Sequence, residues 1–200
     1  FDYTDSSIFY ITSQYGNLAR TTNGGISFRA SVSGLVRTDP SGNNMFSFVT
    51  PFIMHPTQPK TLFVGGNKLY RTTDGMVNWM PISGDLSGST NSLSQIQDLA
   101  FCKNNPNILY MVTGFSVRAY RTTNAMDPDT SKIKYTRINN GLPSLFLGTV
   151  AVHPENGDIA YIGTTGFAKE SGVYKTTDGG ASWTQMKGAT PETSLPPIPV

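Results

Sequence analysis

One cysteine and two histidines in 200 residues remove several common chemistries at once. Cys102, standing alone, can form neither an intrachain disulfide nor a cysteine-based zinc cluster. It reads as a small buried hydrophobe. His55 and His153 occupy equivalent His-Pro positions in two different repeats, which suits a turn role and not convergent metal ligation. Charge is scarce too: 14% of residues are charged, the net charge is +2, and Lys and Arg are scattered. No extended field is available to steer nucleic acid or an anionic membrane, so neither is expected as a partner. No apolar run approaches the ~18 residues of a membrane span, and no basic segment leads into an apolar one. No metal and no cofactor is expected. The lack of any Asn-x-Ser/Thr sequon leans toward a bacterial source.

What the chain has in quantity is turn chemistry. Twenty Gly and 13 Pro accompany 38% hydrophobic residues, too apolar a mixture for disorder. A period runs through it. Leu18-Ala-Arg-Thr-Thr-Asn-Gly-Gly25, Leu69-Tyr-Arg-Thr-Thr-Asp-Gly-Met76, Ala119-Tyr-Arg-Thr-Thr-Asn-Ala-Met126 and Val173-Tyr-Lys-Thr-Thr-Asp-Gly-Gly180 align, with the basic residue at 20, 71, 121 and 175. Apolar segments repeat in phase upstream, as in Thr149-Val-Ala-Val-His-Pro154 followed by Ile159-Ala-Tyr-Ile-Gly163. Each unit of roughly 50 residues therefore predicts two short apolar strands, a third at the Tyr-Arg-Thr-Thr segment and a fourth at the aromatic beyond it. Radially stacked four-stranded units predict an all-β propeller of about four blades, part of a larger propeller, with a β-hairpin solenoid as the alternative. The repeats fall at about 1–48, 49–95, 96–147 and 148–194, leaving 195–200 to start a further blade or close a ring.

Thr176-Thr-Asp-Gly-Gly-Ala-Ser-Trp183 fits the Asp-box pattern Ser/Thr-x-Asp-x-Gly-x-Ser/Thr-Trp at every defined position, including Asp178, Gly180, Ser182 and Trp183. The first copy carries Asn23, Gly25 and Phe28; the second keeps Asp74 and Trp79; the third departs after Asn124, where Asp127-Pro-Asp129 lengthens the loop before Tyr135. A carboxylate or amide here can accept backbone N–H groups of its own loop, and Gly supplies positive φ, so the box reads as a self-contained structural staple. Tandem boxes on 50-residue units resemble the BNR or Asp-box repeat superfamily. It includes sialidases, sortilin-type Vps10 domains, photosystem assembly factors and xyloglucan-cleaving glycoside hydrolases. Trp79-Met-Pro-Ile-Ser-Gly-Asp-Leu86 and the segment 150–161 look most like the secreted bacterial propellers grouped with sortilin/Vps10 and xyloglucanase-like proteins. The resemblance implies an extracellular or cell-surface protein whose Asp boxes lie away from the ligand face.

On that implied geometry, the loops between second and third strands and the longer connections between blades (84–96, 139–147 and 188–196) face a ligand. Tyr15, Phe115 and Phe167, with Asn67, Arg118 and Glu170, are the candidate contacts for a glycan, peptide or protein. A glycosidase needs two flanking carboxylates, and outside the boxes and terminal turns acids are few: Asp39, Asp85, Asp98 and Glu170 are the candidates, none paired by a local motif. A sialidase would also need an arginine cluster, and Arg20, Arg71 and Arg121 are repeat positions. The expectation is a non-catalytic scaffold or recognition propeller, itself in contact with other blades; the alternative is one portion of a xyloglucanase-like glycoside hydrolase.

Overall fold

In a computed structural model, residues 1–187 are described; the 195–200 segment and the connection 188–196 both lie outside them. Strands β1 (Phe9–Thr12), β2 (Leu18–Thr21) and β3 (Arg29–Ala30) form a three-stranded sheet. β4 (Phe52–Met54), β5 (Leu62–Gly65), β6 (Leu69–Thr72) and β7 (Met80–Pro81) form the second sheet, in that order. β8 (Ile96–Cys102), β9 (Asn105–Thr113), β10 (Ala119–Thr122) and β11 (Thr136–Arg137) form the third. β12 (Leu147–Val152), β13 (Ala160–Thr164), β14 (Val173–Thr176) and β15 (Thr184–Gln185) form the fourth. Every resolved pairing is antiparallel between sequence neighbours, so each sheet is a meander whose turns alternate between its two ends. The only helical pieces among the described residues are three single 3-10 turns.

The registers explain the sequence period. Arg20, Arg71, Arg121 and Lys175 occupy the same rung, opposite Tyr10, Phe63, Tyr110 and Tyr161 on the preceding strand. Strand-forming β-branched and aromatic residues fill β5, β9 and β13, whose side chains are buried on both faces toward the strand end, as interior strands of stacked sheets require. The fourth strand begins one residue beyond the aromatic rather than at it: β7 starts after Trp79 and β15 after Trp183. The reason is that the tryptophan N–H groups are donated elsewhere, Trp79 N to Ser33 O at 2.8 Å and Trp183 N to Asn140 O at 2.9 Å.

The chain divides into two compact units, Phe1–Ile96 and Gln97–Val200, each holding two sheets. In the first unit, Tyr10, Leu18, Met45 and Phe46 meet Leu62, Val64, Tyr70, Met76 and Trp79. Phe46 is fully buried and stacks on Tyr70 with ring centroids 5.7 Å apart. A Cβ on Gly16 or Gly66 would press within 3 Å of the Phe46 ring, so both positions must stay bare for it to seat. In the second unit, Tyr110, Val112, Ala119 and Ile138 pack on Leu147, Val150, Ala160, Ile162, Tyr174 and Trp183. Burying each large side chain contributes about 1.5–3 kcal/mol. Within this unit Arg121 reaches from β10 to Asp158 at 2.6 Å and lies over the Tyr110 ring. Burial pushes the Tyr110 hydroxyl up to about 12, and it donates to Gly157 O at 2.7 Å.

Candidate functional site

The Asp boxes occupy the turns between third and fourth strands, and their hydrogen bonds repeat nearly atom for atom. The strand-end threonine hydroxyl donates to the acid or amide two residues on: Thr21 to Asn23 at 2.8 Å, Thr72 to Asp74 at 2.7 Å, Thr122 to Asn124 at 3.1 Å and Thr176 to Asp178 at 2.7 Å. The same side chain then accepts a backbone N–H across the loop, from Ser27, Asn78 and Ser182 at 2.9–3.0 Å. In the long third loop the equivalent donor is Lys134 N at 3.1 Å, while Asn124 Nδ2 donates to Lys132 O. Asn124 thus closes a loop six residues longer by the same pattern. Ser182 Oγ donates to Asp178 Oδ2 at 2.6 Å, and that bond is the leading reason the Asp178 carboxyl falls to about 2. For Asp74 partial burial raises the carboxyl, but the donors from Asn78, Thr72 and Val77 outweigh it and the net shift is downward. Acids held ionised in this way are structural acceptors.

The boxes are not self-contained, however. Trp79 Nε1 donates to Ser31 O at 2.9 Å and Trp183 Nε1 to Ile138 O at 2.7 Å, each on the sheet before its own. Together with the backbone donations of the same two tryptophans, each box clamps the preceding blade through two hydrogen bonds. Gly34 and Gly141, at φ +88 and +90, lie against the carbonyl oxygens of Trp79 and Trp183, leaving no room for a Cβ. The recurrence of Trp was visible in the sequence; its acceptor 48 or 45 residues away carries no motif.

At the opposite end of each sheet lie the turns between second and third strands. In the first unit Tyr15 sits at φ 54 and meets Phe48 edge-on, centroids 5.4 Å apart. Phe48 and Val49 are exposed beside it. Asn67 is only 8% exposed: its N–H donates to Met45 O, its carbonyl accepts Leu86 N, and its amide approaches Asp85 Oδ2 at 3.4 Å. In the second unit Phe115 is 59% exposed and packs edge-on against Phe146 at 5.1 Å. Val117 nearby holds φ 48, costly for a β-branched residue. Thr113 and Thr164 cap equivalent loop mouths, accepting Arg118 N at 3.0 Å and Gly172 N at 2.9 Å. Phe167 is 77% exposed, and Glu170, also exposed, uses its carbonyl to accept the Tyr174 hydroxyl. Phe48 and Phe146, the ring partners, were absent from the sequence-based candidates because they sit in irregular connections without repeat register.

Of the four candidate acids, the three aspartates accept hydrogen bonds from their own surroundings, whereas Glu170 is exposed and engaged through its backbone carbonyl. Asp39 accepts Ser41 N, Asn43 N and Asn43 Nδ2 at 2.8–2.9 Å, the Asn43 side chain leading the downward shift of its carboxyl. Asp85 accepts Ser87 Oγ and Gly88 N. Asp98 joins β8 to β12, accepting Thr149 Oγ1 at 2.7 Å and Val150 N at 2.9 Å. His55 Nδ1 accepts Thr57 N and Gln58 N, and His153 Nδ1 accepts Glu155 N and Asn156 N, identical turn geometries. Burial lowers the His55 imidazole. No cluster of three or more His, Cys, Asp or Glu suited to a metal occurs among the described residues. None of their helices is long and apolar enough to cross a membrane.

No protein-family model matches the chain. Solved structures similar to it include the GH74 xyloglucanase of Xanthomonas campestris (17% identity, TM-score 0.65, 92% of this chain and 28% of that one) and a GH74 enzyme of Niastella koreensis (22%, 0.67, 92% and 28%). A third is an ancestral GH74 enzyme (20%, 0.63, 95% and 24%). The fold is a β-propeller. YCF48 of Cyanidioschyzon merolae is similar as well (15%, TM-score 0.62, 94% of this chain and 57% of that one). Among curated proteins, an oligoxyloglucan-reducing end-specific xyloglucanase of Emericella nidulans is 24% identical over 151 residues, which are 70% of this chain and 18% of the relative. The chain thus spans under a third of the length of these xyloglucanase relatives. The propeller expectation holds; the finer likeness to sortilin/Vps10 proteins receives no support from these relatives.

Proposed function

We propose that this chain is a propeller portion of a secreted, xyloglucanase-like glycoside hydrolase, and that it contributes sugar contact more than chemistry. This makes the glycoside-hydrolase alternative the leading reading. The observation that carries it is the curated relative: a xyloglucanase aligns over 70% of the chain, and the GH74 structures accommodate more than nine-tenths of it. In its favour as a binding wall stand the exposed aromatic pairs Tyr15–Phe48 and Phe115–Phe146 on second-to-third-strand turns, flat apolar surfaces of the kind that sugar rings stack on. Against catalysis by this portion alone stands the lack of a free carboxylate pair: Asp39, Asp85 and Asp98 each accept hydrogen bonds from their own loops or a neighbouring strand, which leaves Glu170 as the one candidate acid without such engagement.

A non-catalytic recognition propeller is the second reading, and the same engagement of the three aspartates favours it. The deciding experiment is incubation of the purified full-length protein with xyloglucan and its oligosaccharides, with products separated by chromatography. Release of reducing ends supports the first reading. Saturable oligosaccharide binding without turnover supports the second, and absence of both binding and turnover with β-glucans sinks the glycan assignment.

A further inference from the structure

The first blade departs from the other three on the face of β2 and β3 that Arg20 occupies. Arg20 on β2 is directly opposite Arg29 on β3, so their side chains share one face. On the equivalent rung the partners are Arg71 and Met80, Arg121 and Thr136, and Lys175 and Thr184. Two like charges directly opposed across antiparallel strands repel. Neither arginine has an acidic partner in ion-pair range among the described residues. A cavity of about 260 Å³ lies between them, lined by Arg20, Thr22, Asn23, Ser27 and Arg29.

The hydrogen bonds made by the lining side chains leave several of their donors unused. Arg20 is anchored by Nη1, which donates to Gly75 O at 2.7 Å, so its guanidinium is oriented while its other N–H groups are unengaged. The Asn23 oxygen is filled by Thr21 Oγ1 and Ser27 N. Ser27 Oγ already accepts Asn23 Nδ2 at 2.9 Å, which leaves its own hydrogen to donate. The box residue is also an amide here, where the second and fourth boxes carry the carboxylates Asp74 and Asp178. Asn23, a lining residue, therefore brings no negative charge to the cavity.

We propose that this cavity is an oxyanion site, which takes sulfate, phosphate or the acid group of a larger ligand through the Arg20–Arg29 pair. An acceptor-only group matches lining side chains with donors to spare, and paired guanidinium forks suit oxyanions in particular. The site is on the Asp-box end of the blade, separate from the aromatic turns, and does not depend on whether the protein hydrolyses glycans.

The test is titration of the full chain with sodium sulfate at constant ionic strength, chloride being the balancing anion, followed by arginine side-chain NMR shifts and thermal melting. Saturable shifts at Arg20 and Arg29 with a rise in Tm are expected. Arg29→Gln should weaken sulfate binding about tenfold or more. Asn23→Asp, which installs the residue of the second and fourth boxes and so keeps the loop, should weaken it similarly while Tm without sulfate stays level or rises. Comparison of free sulfate with a sulfated monosaccharide and with glucuronate separates the sources: tighter binding of a sugar acid assigns the site to a glycan group, and equal binding assigns it to the free ion. Shifts that never saturate, or that persist unchanged in both variants, overturn the proposal.

Discussion

At the scale of single residues the Asp box is an electrostatic device as much as a turn. Folding takes the Asp178 carboxyl from 3.8 down to about 2, chiefly through the Ser182 hydroxyl. A carboxyl lowered by folding stabilises the native state fully above its unfolded value, and that contribution disappears as pH falls through the folded one. Loss is therefore expected between about pH 4 and pH 2. Asp178→Asn should flatten this acid limb, since Asn23 demonstrates that an amide can hold the loop by donating to the serine instead of accepting from it. Tm followed against pH for the two proteins is the measurement. An identical acid limb would assign the loss to other lowered carboxylates, such as Asp74 or Asp39. The box acids were legible in the sequence because their partners lie within four residues. Asp98 was not, since the hydroxyl that engages it lies 51 residues on, at Thr149.

Between elements, the tryptophan of one blade and a glycine of the blade before it form the recurring joint. Gly34→Ala places a Cβ at φ +88 against the Trp79 carbonyl oxygen. Left-handed backbone alone costs an alanine about 1 kcal/mol, and the collision adds about 1–3 kcal/mol as the joint shifts. Gly24→Ala supplies the control: φ is +68 but nothing lies within 4 Å, so only the backbone cost applies. Urea midpoints should therefore fall clearly further for position 34 than for position 24, and equal losses would show that the joint has slack. Trp79→Phe tests the other half. It leaves the buried Ser31 carbonyl without its indole donor, at a cost of about 1–3 kcal/mol. The first blade carries Phe28 at this position, and there the ring is 43% exposed, against 4% for Trp79 and Trp183. Strand positions and box loops followed from the period in the sequence. The delayed start of each fourth strand did not, because it depends on where the tryptophan N–H points.

For the molecule as a whole, repetition makes the scaffold readable and the site obscure. A rung shared by four blades announces itself four times, whereas Tyr15, Phe115 and Phe167 sit in turns of unequal length and different composition. Their ring partners Phe48 and Phe146 come from connections between sheets, so only folding reveals the pairs. Exposure separates their roles in a way that can be measured. Phe115 keeps 59% of its surface in solvent, so Phe115→Ala forfeits chiefly the edge contact with Phe146, worth about 0.5–1.5 kcal/mol, and Tm should drop only slightly. If the ring stacks on a sugar, affinity for xyloglucan oligosaccharides should fall several-fold in calorimetric titration, an effect independent of ionic strength because the ligand is neutral. Phe167→Ala, at a still more exposed position, should leave Tm unchanged and reduce affinity only if the same ligand reaches its turn. Sulfate binding at Arg20 and Arg29 should survive both substitutions. If a single aromatic change abolished oligosaccharide and sulfate binding together, with Tm preserved, the two ends of the blades could not be acting as separate sites.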